Sequence, residues 1–449
     1  MRCLIVLFLI LSTYSNAQKT VSFAGIDSAS YVQFQNNDYR SLKKTTKKAL
    51  REKVDFYYLR MRIGILAYNK QNYDLAIKHL EIAYGMNPAD TTVQEYLYYS
   101  YLFSNRVENA NKLASTFSSD LQLKIGYKVK KIDSFSIGLA AFTNNNFMAQ
   151  MKNYVVNPYK HGHSTINGST IGLSFSIENT YKSRTKLYNR LSIFNTHSIG
   201  VEQFASQGTM FPASSKTQNY SPLQLQYNFG LSHQTQKGFQ FSGGLGFYNT
   251  TLYELLGQPV PPEFMKPPKI DYIDSKTTYN NFSFSGTIGK RMKYISPSFS
   301  ISLSDLHNVK QKQMEFSATY FPFGNVNFYL GAAFALINND GNEQHVITQK
   351  IGAKVTKKMY VDAIFSIGDH SNYITSNGFV VYNTADAILS NWNVNAHFYI
   401  KKIELTIGYS KQMRQGQYDQ YNSFSSKDAI RTKYSYTNNN IMTTIKWNF

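Results

Sequence analysis

The chain has 449 residues, a formal net charge of +20, 35 Tyr, 31 Phe and one Cys. It is too long for one ordinary domain, and beyond its N-terminus no apolar run could cross a bilayer as a helix. A single Cys excludes a disulfide framework and a thiolate metal site. The negative mean hydropathy and the many aromatic residues fit a sequence whose apolar positions alternate with polar ones.

Residues 1–17 have the pattern of a secretory signal peptide. Arg2 supplies a positive charge, residues 4–11 are apolar, and Ser15 and Ala17 are small residues before a cut at Gln18. Cys3 precedes the apolar run, whereas a lipid-attachment cysteine would follow it, so we interpret it as incidental. Removal of the first 17 of 449 residues would leave 432 residues and a charge of +19.

Residues 18–125 contain a helical repeat with a period of 34 residues. The middle repeat, 57–90, carries its small and apolar marker residues at Gly64, Tyr73, Ala76, Leu80, Ala83 and Pro88. Partial copies at 23–56 and 91–124 carry Tyr39, Leu42 and Ala49, and Val107, Ala110 and Phe117. This spacing resembles that of tetratricopeptide repeats, which implies paired helices and a groove for a protein partner.

The groove of the middle repeat is predicted to contain Met61, Ile65, Tyr68 and Asn69. These residues lack the basic side chains with which some family members hold a peptide carboxylate. An ordinary receptor for C-terminal peptides is therefore not predicted, and the partner is expected to be another periplasmic protein.

A basic stripe follows the second helix of the first repeat. It consists of Lys43, Lys44, Lys47, Lys48 and Arg51, whose spacing places them on one side of a helix. Such a stripe could bind an anionic polymer or lipid headgroups. The alternative is an ordinary solvated helix face.

Residues 126–449 predict an antiparallel transmembrane β-barrel of 14 strands, with 12 or 16 as alternatives. In the clearest strand, Ile295, Phe299, Ile301 and Leu303 alternate with Ser296, Ser298, Ser300, Ser302 and Ser304. Period two indicates a strand with one apolar and one polar face. The connections alternate between long ones, which include 254–279, 338–344 and 369–389, and short ones. This alternation is typical of long extracellular loops and short periplasmic turns. Both barrel ends would then face the periplasm, with the helical domain there.

The last strand, residues 440–449, places Ile445, Trp447 and Phe449 on its apolar face. A terminal strand needs a partner, and in a closed barrel that partner is the first strand. The ending also resembles the signature by which the barrel assembly machinery recognises its substrates. A secreted β-sandwich is the alternative, but its strands are usually shorter, and nothing in that fold requires a terminal Trp-x-Phe sequence.

The predicted luminal face is mostly Ser, Asn, Gln, Thr and Gly, which leaves room for a water-filled pore. The loop at 254–279 is stiffened by Pro259, Pro261, Pro262, Pro267 and Pro268. Whether it folds into the lumen or stands outside is left open by the sequence.

Basic residues collect at the predicted periplasmic turns. They are Lys182, Arg184, Lys186, Lys290, Arg291, Lys293, Lys357, Lys358, Lys401 and Lys402, with Lys354 and Lys446 nearby on the luminal face. A cationic mouth would concentrate an anionic substrate such as a polysaccharide. Anchoring to lipid phosphates is the alternative.

No catalytic, cofactor or metal site is predicted. His161 and His163 have no acidic neighbour, and Asp369, His370 and Ser371 are adjacent in sequence, which does not orient a relay. Nucleic-acid binding is not predicted, because the compartment is wrong and no reader motif is present.

The whole architecture resembles YaiO-like barrels, exopolysaccharide exporters and surface-lipoprotein translocators. The resemblance implies an outer-membrane export channel for a glycan or protein, with the repeats recruiting periplasmic partners. Two alternatives remain, a non-conducting anchor whose repeats scaffold an envelope complex and a barrel enzyme acting on lipid or glycan.

Overall fold

The computed structural model describes residues 22–128, 132–155, 161–181, 184–204, 214–260, 269–292, 294–384, 386–421 and 429–449. The predicted signal peptide lies outside these ranges. The chain divides into two compact units, Met1–Ser104 and Asn105–Phe449.

The first unit is helical. Its helices are α1 (Phe23–Gln35), α2 (Tyr39–Arg51), α3 (Tyr57–Asn69), α4 (Tyr73–Met86) and α5 (Thr91–Phe103). The starts of α1, α3 and α5 are 34 residues apart, as are those of α2 and α4. Ser22, Asp38 and Asp90 cap α1, α2 and α5 by accepting hydrogen bonds from backbone N–H groups of the first turn.

The helices pack closely around small residues. A Cβ at Gly64 would lie 2.7 Å from the side chain of Leu80, so α3 and α4 approach more closely than any larger residue allows. Arg60 forms a two-point ion pair with Asp55, at 2.6 and 2.7 Å, and also donates to Nδ1 of His79 at 2.9 Å. The buried Arg60 and His79 are thereby satisfied.

The second unit starts with α6 (Val107–Ala114) and α7 (Ser119–Lys124) and continues into a large antiparallel sheet, with α8 (Phe147–Val155) after its first strand. The first strands are β1 (Ser134–Asn144), β2 (His161–Tyr181), β3 (Thr185–Phe204), β4 (Ser214–Tyr220), β5 (Leu223–Gln234), β6 (Phe239–Val260), β7 (Lys269–Lys290) and β8 (Ile295–Ser304). They are followed by β9 (Gln311–Tyr320), β10 (Phe328–Asn339), β11 (Asn342–Lys354), β12 (Met359–Gly368), β15 (Ala387–Ile400), β16 (Ile403–Tyr421) and β17 (Ala429–Asn448). A separate small hairpin consists of β13 (Ile374–Thr375) and β14 (Val380–Val381).

The large sheet closes into a barrel. β17 pairs with β1 from Ser134↔Asn448 to Asn144↔Asn438, so the last strand meets the first, as predicted. β4 and β5 both pair with β3, over successive parts of its length, and together form one wall strand. The wall therefore has 14 strands, which confirms the predicted number.

The outer surface of the barrel exposes apolar side chains on most strands. Examples are Leu139, Ile171, Leu225, Leu245, Phe282, Phe284, Met314, Phe316, Trp392, Ile407 and Ile441. An exposed apolar surface of this extent is stable only against lipid, so the barrel spans a membrane. Among the described residues, no helix is both long and apolar enough to cross one.

Short turns join the strands at one end of the barrel, called the short-turn end below. Longer connections lie at the opposite, long-loop end. The predicted long connection at 338–344 is wrong, because β10 and β11 are joined by the two-residue turn Asp340-Gly341, with φ of 49° and 93°. Positive φ at both positions is typical of a type I′ hairpin turn, which favours this Asp-Gly sequence.

Much of the predicted Pro-rich loop is strand instead. β6 and β7 remain paired as far as Val260↔Lys269, so most of 254–279 is a long hairpin that extends the barrel wall. Pro261, Pro262, Pro267 and Pro268 lie outside the described residues. At the same end, β2 and β16 also pair, at His161↔Tyr421 to His163↔Asp419.

Candidate functional site: a plug and a cavity in the barrel lumen

The connection between β12 and β15 enters the barrel lumen. We call its described residues 369–384 the plug; they include the β13–β14 hairpin. Side chains from β5, β6, β7, β9, β10 and β15 hydrogen-bond to it. The lumen expected to hold a water-filled pore is therefore occupied by a segment of the same chain.

The tip of the plug, Ser376–Gly378, has three successive residues in the left-handed region, with φ of 55°, 56° and 87°. Glycine adopts this region readily, but Ser376 and Asn377 do so at a conformational cost, so the surroundings must hold them. The carbonyl oxygen of Gly378 accepts hydrogen bonds from Asn228 at 2.8 Å and from the Tyr248 hydroxyl at 3.3 Å. Thr287 donates to Oδ1 of Asn377 at 2.7 Å.

Glycine in the wall makes room for this tip. A Cβ at Gly244 of β6 would lie 1.9 Å from the carbonyl oxygen of Asn377. Any larger residue would therefore require the tip to move. The sequence places a glycine where the plug contacts the wall most closely.

The hairpin of the plug is held by Gln313 of β9. Its side-chain nitrogen donates to the carbonyl oxygen of Ile374 at 2.6 Å, and its side-chain oxygen accepts from the N–H of Ile374 at 3.0 Å. Ile374 is 1% exposed and packs with Tyr248, Leu306 and Val381. Because one amide satisfies both backbone groups, the hairpin has a defined register against the wall.

Stacked aromatic rings join the segments of the plug that precede and follow its hairpin. Tyr373 and Tyr382 stack with ring centroids 5.7 Å apart, and the Tyr373 hydroxyl donates to Glu315 at 2.6 Å. His370 is fully buried beside both rings. Its Nδ1 lies 2.8 Å from the carbonyl oxygens of Gly368 and Ile388, and its Nε2 lies 2.8 Å from Ser366 Oγ.

A cavity of about 510 Å³ remains between the plug and the wall. The wall contributes Ser, Thr, Asn and Gln side chains together with Arg190, Lys350 and Arg414. The plug contributes Phe379, Val380 and Tyr382. The cavity thus offers hydrogen-bond donors, positive charge and a largely apolar surface.

Several basic residues predicted to form a cationic mouth have partners at the short-turn end. Lys446 forms an ion pair with Glu178 at 2.7 Å, and Lys186 lies 3.7 Å from Glu108 of α6. Lys290 and Arg291 lie over the rings of Phe239 and Phe321. Lys354 is exposed, whereas Lys182 and Lys293 lie outside the described residues. The positive charge of this mouth is partly neutralised by the two glutamates.

The predicted binding residues of the helical unit lie on α2 and α3. Lys43, Lys44, Lys47, Lys48 and Arg51 are all exposed on α2. In α3, Ile65 is buried, Met61 and Tyr68 are half-buried, and Asn69 is exposed. Tyr68 packs edge-on against Tyr73 and Tyr96.

The residues considered for catalysis have structural contacts. Asp369 accepts hydrogen bonds from the backbone and side chain of Ser371, and these do not involve His370. His397 lies between Asp362, at 3.3 Å, and Glu404, at 3.2 Å, and the Thr406 hydroxyl lies 3.0 Å from its Nδ1. In the described ranges, no group of His, Cys, Asp and Glu residues could hold a metal ion.

The plug is the luminal element that the sequence did not predict. The sequence predicts a long connection at 369–389, but it does not place that connection in the lumen. One signal was available in its composition, since Tyr373, Ile374, Phe379, Val380, Val381 and Tyr382 are unusually apolar for a solvated loop.

No protein-family model matches the chain, and no curated protein matches it. Its fold is similar to that of a FadL homologue from Pseudomonas aeruginosa, with a TM-score of 0.45 and 7% identity over 75% of this chain and 94% of that one. It is also similar to the toluene transporter TodX of Pseudomonas putida, with a TM-score of 0.41 and 10% identity over 71% of this chain and 91% of that one. The toluene transporter TbuX of Ralstonia pickettii has a TM-score of 0.35 and 10% identity, over 71% of this chain and 90% of that one.

Proposed function

We propose that this protein is an outer-membrane transport barrel in which the plug gates the passage of a small molecule. The observation that carries the proposal is the cavity between the plug and the polar wall. Its volume, about 510 Å³, is in the range of small-molecule sites. Such a cavity supports a small solute better than the glycan or protein cargo expected from the sequence.

In this proposal, the short-turn end faces the periplasm and the helical unit lies there. The plug closes the barrel at rest, and transport requires the tip to leave Asn228, Tyr248 and Thr287. The strained backbone of the tip supports this role, because strain lowers the free energy needed to displace it.

Ion conductance in a planar bilayer tests the gate. Replacing Thr287 and Asn377 by Cys would introduce the only two thiols after position 3, at side chains that now hydrogen-bond at 2.7 Å. A chain with residues 372–382 replaced by a short Gly-Ser linker should conduct steadily. The oxidised double variant should stay closed, and reduction should restore the openings of the wild type. A deletion that leaves the barrel folded but closed would contradict gated transport.

A second candidate is a barrel that serves only as an anchor for the helical unit. The many hydrogen bonds between plug and wall favour it, because they also fit a permanently closed lumen. The 34-residue spacing of the helices supports tetratricopeptide-like repeats that hold a periplasmic protein. If the wild type never conducts in planar bilayers whereas the plug-deleted chain does, the result would favour the anchor.

A further inference from the structure

Arg190 has an unusual position among the luminal cations. It lies on β3, faces the lumen and lines the cavity beside the plug. In the strand register it is opposite Asn228, the residue that binds the plug tip at Gly378. Arg190 is therefore placed where a bound molecule would lie next to the anchor of the plug.

Within the described part of the chain, no carboxylate lies within ion-pair distance of Arg190. Its hydrogen bond to Ser174 Oγ is long, at 3.5 Å. By contrast, Lys186 and Lys446, nearer the short-turn end, each face a glutamate. A guanidinium group has five N–H donors and matches a carboxylate in geometry, so Arg190 retains most of its donors for a ligand.

Most of the charged side chains around the cavity are positive. Arg414 and Lys350 also line it, and Arg414 is held in place by two hydrogen bonds to Gln412 Oε1, at 2.7 and 3.0 Å. Glu315 is a carboxylate in the lining, and it already accepts a hydrogen bond from Tyr373. The cavity is thus electropositive and favours an anion.

Apolar rings line the same cavity as Arg190. Phe194 is four residues further along the same strand and packs edge-on against Phe142 of β1, and both line the cavity. Phe379 of the plug lies edge-on to Tyr188, two residues before Arg190. A ligand with a charged head and a compact apolar body would satisfy both kinds of surface.

We propose that the cavity beside the plug binds a small organic carboxylate with an apolar body, and that Arg190 recognises the carboxylate. This inference rests on the proposed function, since it names the class of molecule that the gated barrel takes. The bound carboxylate contacts Arg190, and the apolar body lies against Phe194 and Phe379.

Ligand-observed fluorine NMR on the full chain in lipid nanodiscs tests the site. The probes are para-fluorobenzoate and its neutral analogue para-fluorobenzamide. The wild type should bind the benzoate in preference to the amide. Arg190→Gln should weaken benzoate binding about tenfold or more, because it removes a charge-assisted contact. Arg190→Lys, which keeps the charge, should retain most of it.

Lys276→Gln is the matched control, since it removes one positive charge from an exposed position outside the cavity. Heat-dependent mobility in electrophoresis shows that each variant has a folded barrel. Equal binding by Arg190→Gln and wild type would overturn the inference. So would equal binding of the two probes, or no benzoate binding to either the wild type or the plug-deleted chain.

Parallel conductance measurements separate this inference from the proposed function. Binding that depends on Arg190, in a barrel that the plug deletion leaves closed, would uphold the site and refute gated transport. If plug deletion opens the barrel but Arg190→Gln leaves benzoate binding unchanged, the result would refute the site alone.

Discussion

The side-chain amide of Asn228 donates a hydrogen bond of 2.8 Å to the carbonyl oxygen of Gly378. Asn228 is 1% exposed, so this bond joins the inner surface of the wall to the tip of the plug away from solvent. A buried amide that lost its partner would be costly, and the closed state is stabilised accordingly.

Gly244→Ala should displace the tip of the plug and increase conductance in planar bilayers. The added methyl group would lie 1.9 Å from the carbonyl oxygen of Asn377, which is backbone and must shift. Gly286→Ala is the control, because its Cβ would meet nothing within 4 Å. Conductance unchanged in the Gly244 variant, in a folded barrel, would show that the tip does not control the passage.

Gln313→Leu should loosen the β13–β14 hairpin without unfolding the barrel. It removes two hydrogen bonds to Ile374 and leaves a buried N–H and carbonyl unsatisfied, at a cost of roughly 1–3 kcal/mol for each group. Faster hydrogen exchange in peptides covering 372–382 is the expected result. Gln240→Leu, at an exposed position of β6, should leave this exchange unchanged. If peptides covering 372–382 exchanged hydrogen equally fast in both variants, Gln313 would not be the residue that holds the hairpin.

Removal of Phe449, or Trp447→Ser, should reduce the yield of folded barrel in cells. Trp447 pairs with Phe135 of β1 and stacks on it at 6.2 Å, and the N–H of Phe449 bonds to the carbonyl oxygen of Asp133. Both residues belong to the predicted insertion signal. Phe323→Ser, at an exposed turn position, is the control. A normal yield of heat-modifiable barrel from both terminal variants would refute the signal.

Gly64→Ala should destabilise the helical unit by about 1–3 kcal/mol through overpacking against Leu80. Gly85→Ala is the matched substitution in α4. Its Cβ would meet nothing within 4 Å, so it should stabilise the unit by about 0.5–1 kcal/mol. Thermal melting of the helical signal in circular dichroism measures both. The same shift in both variants would contradict the close approach of α3 and α4.

The helical unit should lose stability as the pH falls from 6.5 towards 4. Burial, with Arg60 beside the ring, lowers the pKa of His79 from 6.5 to about 4. The unfolded chain therefore binds a proton that the folded unit does not over this range, so stability is complete above pH 6.5 and declines below it. The same melting signal should fall less steeply with pH in His79→Gln. If the stability of the wild type and of His79→Gln fell equally with pH, the loss of stability would come from other titratable groups.

The barrel was predictable because its evidence is local and repeated. Alternation such as that from Ile295 to Ser304 follows from the geometry of a strand, and a terminal strand needs a partner whatever the rest of the chain does. Helix starts in the first unit agree with the 34-residue period because propensity, capping and spacing act within short segments. The tetratricopeptide assignment itself stays a prediction.

The site was not predictable in the same way. Contacts such as Gln313 with Ile374 join residues 61 positions apart, and no local pattern specifies them. The prolines at 254–279 indicate a stiff connection, but stiffness does not show whether a connection enters the lumen. Most of this connection extends the barrel wall instead. The sequence does not distinguish Arg190 from other basic residues, since the absence of an acidic partner among the described residues is visible only once the strands surround the lumen.

The plug is continuous with the barrel wall at both ends, through β12 and β15. It differs in this from a stopper formed by a separate domain, which could leave the lumen altogether. Even when its tip is released, its 16 described residues, 369–384, stay within or beside the lumen. In the proposed gating, the opening would therefore be a fraction of the full bore, and the protein would act as a sieve with an upper size limit.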